Sequence, residues 1–273
     1  MFKFHGIKST IGCAGVIIVC LVLAVIGWIA FKIIDKGSDD TPSVETEVTE
    51  EIYSFDSIKV TGHTDVEIVA GTVHTNMVSD VDLVGTEPED GKVAVIGEEG
   101  KTGPSVKTDG STLVIDGGDS SQYSSSFTPK VVIYCSEDTL RSIEIDSPAC
   151  NAEMGGLSFE KADIKVEDGE IKGDDLISEG ISIQNDSGDT DISGDLKGLT
   201  EISSNSGDIM VIVEGSLEKY AMDITNGKDG DIWVDARKID DVSYSKDIED
   251  EWDTDNRMLK LTSTTGEIVV KYK

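Results

Sequence analysis

The sequence predicts an all-β protein, a parallel β-solenoid with coils of about 19–23 residues, preceded by one transmembrane helix. Three observations predict this architecture. An uncharged apolar segment lies near the amino terminus, short strands of alternating polarity follow from Ile52 onward, and glycines recur at a nearly constant spacing in the second half. Alternation with period two is the signature of half-buried strands, and a fixed repeat length is the signature of stacked units.

The apolar segment is long enough to cross a bilayer. No charged residue occurs from Ile11 to Phe31, and a helix of that length at about 1.5 Å per residue spans the hydrocarbon core of roughly 30 Å. A cleaved secretory signal is the alternative, because Lys3 and Lys8 form a basic start. The apolar run is longer than that of a signal, and no small-x-small cleavage site follows it. We therefore predict an uncleaved transmembrane helix over 11–34.

The flanks of this helix predict its orientation. Residues 1–10 carry Lys3 and Lys8, and on the other side Lys32 and Lys36 are soon followed by Asp39 and Asp40, so the Lys and Arg bias of the positive-inside rule is small. Since about 240 residues follow the helix, we predict that residues 1–10 lie in the cytoplasm and the bulk of the chain outside. The polar stretch 35–50 is predicted to be a tether, and 51–273 an extracytoplasmic domain of a single-pass protein of the cell membrane.

The predicted strands follow one another with turn residues between them. Segments such as SIKV, TDVEIVA, KVVIYC and RSIEID alternate Val and Ile with polar residues. The stretch 97–129 is rich in Gly and Ser, and we predict a long loop there around one strand, Thr112–Asp116.

The repeat supplies the evidence for stacking. Ile145, Ile164, Ile183 and Ile202 lie 19 residues apart. A glycine followed by an acid recurs beside them, at Gly169, Gly188, Gly207, Gly230 and Gly266. One such unit cannot bury its own apolar face, but units stacked about 4.8 Å apart form a continuous core. A β-sandwich is the alternative, since its turn spacing is similar.

The last interval between glycines is longer than the others. We explain it by an insertion over 238–255 in the last coil, from which Tyr244 and Trp252 pack over the end of the solenoid. The final strand, Ile268 to Tyr272, is then expected to be an unpaired edge.

The charge balance excludes some partners. The chain has 54 acids and 23 bases, a formal net charge of −31. Nucleic acid and anionic lipid surfaces are disfavoured, since both are bound through clustered Lys and Arg.

The acids that follow the corner glycines are predicted to form a row along the solenoid. This row allows two interpretations. In one, the carboxylates face water and accept hydrogen bonds from corner amides. In the other, Asp186, Asp189, Asp191 and Asp208 share calcium, which prefers oxygen ligands. No other cofactor is predicted, and the calcium interpretation is itself limited, because neither the spacing of an EF-hand nor that of a calcium-binding β-roll is present.

Two cysteines lie in the predicted outer domain. Cys135 and Cys150 fall in what we predict to be neighbouring coils, in a compartment that permits oxidation. They are either a disulfide or two buried thiols, because the sequence does not give their separation.

Three segments carry a family resemblance: FDSIKVTGHTDVEIVAG, PKVVIYCSEDTLRSIEI, and the serial SGDTDISG, NSGDIMV and TGEIVVKY. They resemble the bacterial adhesin-like domains of unknown function, including the head-GIN domain. The resemblance covers residue 52 to the end. It implies a β-solenoid displayed on the cell envelope behind one membrane anchor, and it brings no catalytic residues.

The function predicted from these features is a non-catalytic display module with a protein or cell-wall partner. An accessory of envelope-stress sensing that acts through a membrane partner is the first alternative. A carbohydrate-cleaving β-helix is the second, because paired carboxylates can hydrolyse glycosides. Against it, all three His precede residue 75, and Trp233 and Trp252 are the only Trp outside the predicted anchor.

Overall fold

The computed structural model describes residues 46–70, 90–135, 140–248 and 256–273. These ranges contain strands and two short 3-10 turns, but no α-helix. They contain no helix that is long and apolar enough to span a bilayer. The predicted helix at 11–34 lies outside them.

The strands are, in chain order, β1 (Thr46–Ile52), β2 (Ser57–Thr61), β3 (Asp65–Ala70), β4 (Lys92–Glu98), β5 (Ser105–Asp109), β6 (Thr112–Asp116), β7 (Lys130–Cys135), β8 (Leu140–Ala149), β9 (Ala152–Gly155), β10 (Ser158–Asp168), β11 (Ile171–Ser187), β12 (Thr190–Ser206), β13 (Ile209–Val213), β14 (Ala221–Asn226), β15 (Ile232–Val234), β16 (Arg237–Ile239), β17 (Ser243–Lys246), β18 (Met258–Thr265) and β19 (Ile268–Tyr272).

The predicted isoleucine column is confirmed. Ile145 pairs with Ile164 in a parallel register, Ile164 with Ile183, and Ile183 with Ile202. All four side chains are buried. Residues 19 apart therefore lie directly over one another inside stacked coils, and the alternating polar residues face outward.

Each coil contributes to two stacks of strands that share one core. The first stack runs in the order β5, β6, β2, β8, β10, the second half of β11, the second half of β12, β18, β14 and β17. The second stack runs β1, β4, β7, β3, β9, the first half of β11, the first half of β12, β13, β19, β15 and β16. Both stacks are parallel in the middle and antiparallel at their ends.

The order of the coils departs from the order of the chain at both ends. The coil of β2 and β3 lies between that of β6 and β7 and that of β8 and β9. The coil of β18 and β19 likewise has a coil on each side. One neighbour contains β12 and β13, and the other contains β14 and β15. The predicted unpaired edge at Ile268 to Tyr272 is therefore wrong, because β19 has a parallel neighbour on each side.

Antiparallel strands cover the outermost parallel strands. At one end β5 pairs with β6 and β4 with β7; at the other, β17 pairs with β14 and β16 with β15. Strand edges that would otherwise offer unpaired amides and carbonyls are thus removed from the ends of the core.

Three predicted boundaries need correction. The tether does not extend to residue 50, because β1 begins at Thr46. The loop predicted at 97–129 contains β5 as well as the predicted strand Thr112–Asp116. The insertion predicted at 238–255 contains part of β16 and all of β17. Tyr244 packs against the core as predicted, and Trp252 lies outside the described residues.

The two outer cysteines are buried free thiols. They do not lie in neighbouring coils, because the coil of β2 and β3 lies between them. Cys135 pairs with Ala70, which is four residues beyond Val66. Val66 pairs with Ala152, which lies two residues after Cys150. Four steps of about 3.3 Å already exceed the reach of a disulfide. The disulfide interpretation is therefore wrong in this structure. Burial raises the pKa of both thiols to about 12.

Candidate functional site

The acid row lies at the corner between the two stacks, where it binds backbone amides. Asp189 Oδ1 accepts a hydrogen bond of 2.8 Å from the amide of Asp208, and Asp208 Oδ1 accepts one of 2.7 Å from Glu267. Each carboxylate thus links its corner to the corner of the next coil. This geometry agrees with the first interpretation of the row, a structural ladder of carboxylates and amides.

The structure does not gather the four predicted calcium ligands into one cluster. Asp186 accepts a hydrogen bond from the Asn205 amide group at 3.1 Å, and Asp189 and Asp208 belong to the ladder. In the part of the chain that the structure describes, no three His, Cys, Asp or Glu side chains form a group that could hold a metal ion. Calcium binding stays a prediction without a preformed site among these residues.

Asp191 differs from the other three because it lies on the outer face of the second stack. It is partly buried there, and desolvation, together with the nearby charge of Asp189, raises the pKa of its carboxyl group. Lys172 is its neighbour on the adjacent strand. Asp191 therefore belongs to a surface that the acid row does not include.

That surface carries an apolar band, which we call the outer strip and define as Met210, Ile212, Val269 and Trp233. The registers of β13, β19 and β15 place Met210, Val269 and Trp233 in one outward column. All four side chains are partly buried. Contiguous apolar areas on a protein surface commonly mark interaction sites.

A depression of about 250 Å³ lies beside the outer strip. Its lining includes Met210 and Ile212 on one side and Lys172, Asp174 and Asp191 on the other. Ser193 also lines it and donates a hydrogen bond of 2.5 Å to Asp174. The surface thus combines apolar contact area with charges of both signs.

Lysines border the outer strip. Lys172 pairs with Glu170 at 2.8 Å, and Lys238 pairs with Asp231 at 2.6 Å while its ammonium group lies 5.9 Å from the centre of the Trp233 ring. Lys271 is exposed and occupies the outward position beside Val269 on β19. Basic side chains therefore lie around the apolar band of a chain with a net charge of −31.

Sequence reasoning named Trp233 as one of the two Trp outside the predicted anchor but missed its three apolar neighbours. A signal for them is present in IMVIV (209–213) and in IVV (268–270). Both runs are apolar at every position, and in a strand of period two this predicts apolar side chains on both faces.

A partly buried ionic cluster elsewhere in the molecule is structural. The Arg257 guanidinium donates to Asp195 Oδ1 at 2.5 Å and to the Tyr220 hydroxyl at 3.1 Å. Tyr220 has no exposed surface, so it cannot meet a substrate. The cluster ties the start of β18 to the turn within β12.

Comparison with protein families assigns the fold to a known group. A family model described as Toastrack DUF4097 matches residues 72–273. The chain belongs to the Toastrack DUF4097 family. The predicted resemblance to a family of domains of unknown function is thereby confirmed.

Two solved structures are similar to this Toastrack chain. One is a candidate cell adhesion protein from Clostridium sporogenes, 15% identical, with a TM-score of 0.45, covering 84% of this chain and 100% of its own. The other is a candidate adhesin from Bacteroides fragilis, 13% identical, with a TM-score of 0.40, covering 85% and 99%. No curated relative matches the chain. Neither the Toastrack description nor these two names mentions a catalytic activity.

Proposed function

We propose that this Toastrack protein is a non-catalytic interaction module of the bacterial cell envelope. In this proposal a helix at 11–34 anchors it in the membrane, and its solenoid binds a protein or cell-wall partner outside the cytoplasm. The observation that supports this proposal is the outer strip. It combines the apolar surface of a Trp and of aliphatic side chains with charged side chains at its border. Interface cores are enriched in aromatic residues and Met within a polar rim, and Trp is among the commonest hot-spot residues.

The solenoid suits this role because its faces are regular and stiff. On the second stack, parallel strands joined in register from β7 to β15 hold each outward side chain at a fixed distance from the next. A preorganised face loses little conformational entropy on binding. The outer strip thus offers a ready contact surface without a deep pocket.

A binding experiment on intact cells tests this proposal. Full-length protein with Met210→Asp and Ile212→Asp is expected to lose its crosslinked partners, because two carboxylates then lie in the contact area. Thr262→Asp is the matched control, since it adds a carboxylate at an exposed position on the outer face of the first stack. Equal crosslinking by all three proteins would contradict the proposed role of the outer strip.

Localisation has its own test. A protease added outside intact cells is expected to digest residues 46–273 and to spare a small fragment that contains residues 1–34. Protection of the whole chain until the cells are lysed would contradict the proposed orientation.

An accessory role in envelope-stress sensing is the second candidate. Cys13 and Cys20 lie seven residues apart, on one face of the predicted helix, which suits pairing with another membrane helix. Crosslinking through the anchor or tether to a membrane protein would favour this role. Capture of an external ligand through the outer strip would favour the display role.

A further inference from the structure

The outer strip is self-complementary, and we propose that its partner is a second copy of this chain. The two solenoids lie side by side and parallel, related by a twofold axis along the direction of stacking. This inference rests on the proposed function, because it names the partner of the same surface. Closed twofold pairing is the commonest form of protein self-association.

The geometry of the rows leads to this arrangement. Each strand of the second stack places two outward side chains on this face, separated by one inward residue. A twofold axis along the stack keeps each strand level with its counterpart and exchanges the two outward positions. The first outward residue of one copy then faces the second outward residue of the other.

The charged rows match under this exchange. On β11, Lys172 faces Asp174 of the second copy, which pairs opposite charges twice across the axis. On β12, Asp191 faces Ser193 of the second copy, whose hydroxyl proton is already donated to Asp174, so water must supply the hydrogen bonds to the Asp191 carboxylate. The depressions of the two copies meet at this level, and water fits between their polar walls, as in many interfaces.

The apolar rows match as well. On β13, Met210 faces Ile212 of the second copy. On β19, Val269 faces the aliphatic stem of Lys271, whose ammonium group reaches the rim. The rows of β11, β13 and β19 therefore meet compatible rows directly, the β12 row meets its counterpart through water, and the apolar part of the contact lies at β13 and β19.

The other twofold axis in this plane matches poorly. An axis along the strands, through β13, would place Asp191 against Val269 of the second copy. Burying a carboxylate against an apolar side chain without a partner is costly. The parallel arrangement is therefore favoured.

The parallel arrangement also suits anchored chains. Both copies have β1, and hence the start of the outer domain, at the same end of the stack. Two chains anchored in one membrane can therefore pair without inversion. Tethering in one membrane raises the effective concentration of the copies, so a modest affinity suffices.

The test measures the mass of the full chain in detergent micelles by light scattering over a range of concentrations. The wild type is expected to form a dimer. The Met210→Asp and Ile212→Asp double variant is expected to be monomeric, whereas Thr262→Asp keeps the dimer. Lys172→Asp and Asp174→Lys are each expected to weaken the dimer about tenfold or more, since each brings two like charges together. The variant with both changes restores opposite charges and the affinity.

Several results would overturn the inference. A wild type that stays monomeric would do so. A dimer that survives in the double variant at 210 and 212 would show that the anchor or another face carries it. Failure of the exchanged pair at 172 and 174 to recover affinity would exclude the parallel axis. If the copies do not associate but the outer strip still captures another partner in cells, self-association fails while the proposed function stands.

Discussion

Gly188 shows at the scale of one residue why the corners repeat glycine. Its φ is +116°, and a Cβ atom there would lie 2.1 Å from the carbonyl oxygen of Gly169. Gly207 stands in the same relation to Gly188. The coils approach one another so closely at this corner that no side chain fits on the inner side of the turn.

We predict that Gly188→Ala destabilises the domain more than a glycine substitution at an open turn. Gly110→Ala is the control, because Gly110 has a φ of +63° but a Cβ atom there would meet no other atom within 4 Å. Gly188→Ala should cost roughly 1–3 kcal/mol more in the free energy of unfolding, because the methyl group overpacks the corner. Urea titration measures both, and equal costs would show that φ alone explains the glycine.

Asp191 supplies a prediction about pH. Desolvation and Asp189 raise its carboxyl pKa above the ordinary value of 3.8. The folded state therefore binds this proton more tightly than the unfolded state, and ionisation of Asp191 costs stability at neutral pH. Asp191→Asn should raise Tm near neutral pH, and the gain should vanish as the pH falls below about 3.8.

The control for this experiment is Asp163→Asn, which removes one negative charge from an exposed position on β10. It separates the local effect at Asp191 from the general reduction of the net charge. A gain in Tm that is equal in both variants, or one that persists at low pH, would contradict the assignment to Asp191.

At the scale of the element, β1 is an edge strand whose charges disfavour further pairing. All seven of its residues are exposed, and it pairs only with β4 among the described strands. Glu47, Glu50 and Glu51 lie along it. Charges on an edge strand oppose the addition of a further strand.

We predict that Glu47→Val with Glu51→Val promotes aggregation of the folded protein, since the edge then presents more apolar side chains and fewer charges. Asp163→Val with Glu167→Val removes the same charge from β10, whose edges are both paired. This control should aggregate less, and light scattering at matched concentrations measures the difference. Similar aggregation in both variants would assign the effect to net charge.

At the scale of the whole molecule, the coil of β2 with β3 and the coil of β18 with β19 are each inserted one place inside the stack. The coil of β18 and β19 is clamped between two others. In a solenoid stacked in chain order, the last coil is at the end and frays first. Here the end coil consists of β14 and β15, which lie earlier in the chain. Their parallel partners are the carboxyl-terminal strands β18 and β19.

This order predicts the effect of a truncation. A chain that ends at residue 255 should lose amide hydrogen-exchange protection over 221–234, because β14 and β15 lose β18 and β19. Strands β8 to β11, which do not pair with β18 or β19, should keep theirs. A chain that lacks only Lys273 is the control and should retain protection throughout. Full protection of 221–234 in the truncated chain would indicate that coils stack equally well in chain order.

The sequence by itself determined the local and periodic features of this protein. Ile145, Ile164, Ile183 and Ile202 could be placed in one column, since a repeat of 19 residues admits one register for the inward side chains. The corner glycines and acids followed from the same repeat, and the resemblance to a family of domains of unknown function followed from three short segments.

Only the tertiary structure decided which coil lies beside which. Alternation with period two specifies the face to which a side chain points, but it does not specify the neighbouring strand. By pattern alone, either β14 or β18 could lie next to β12, with the other at the end of the parallel run. The same limit applies to Cys135 and Cys150, whose separation depends on the coil that intervenes. The outer strip likewise became visible only when β13, β19 and β15 lay side by side, because its residues are distant in the chain and meet through the order of the coils.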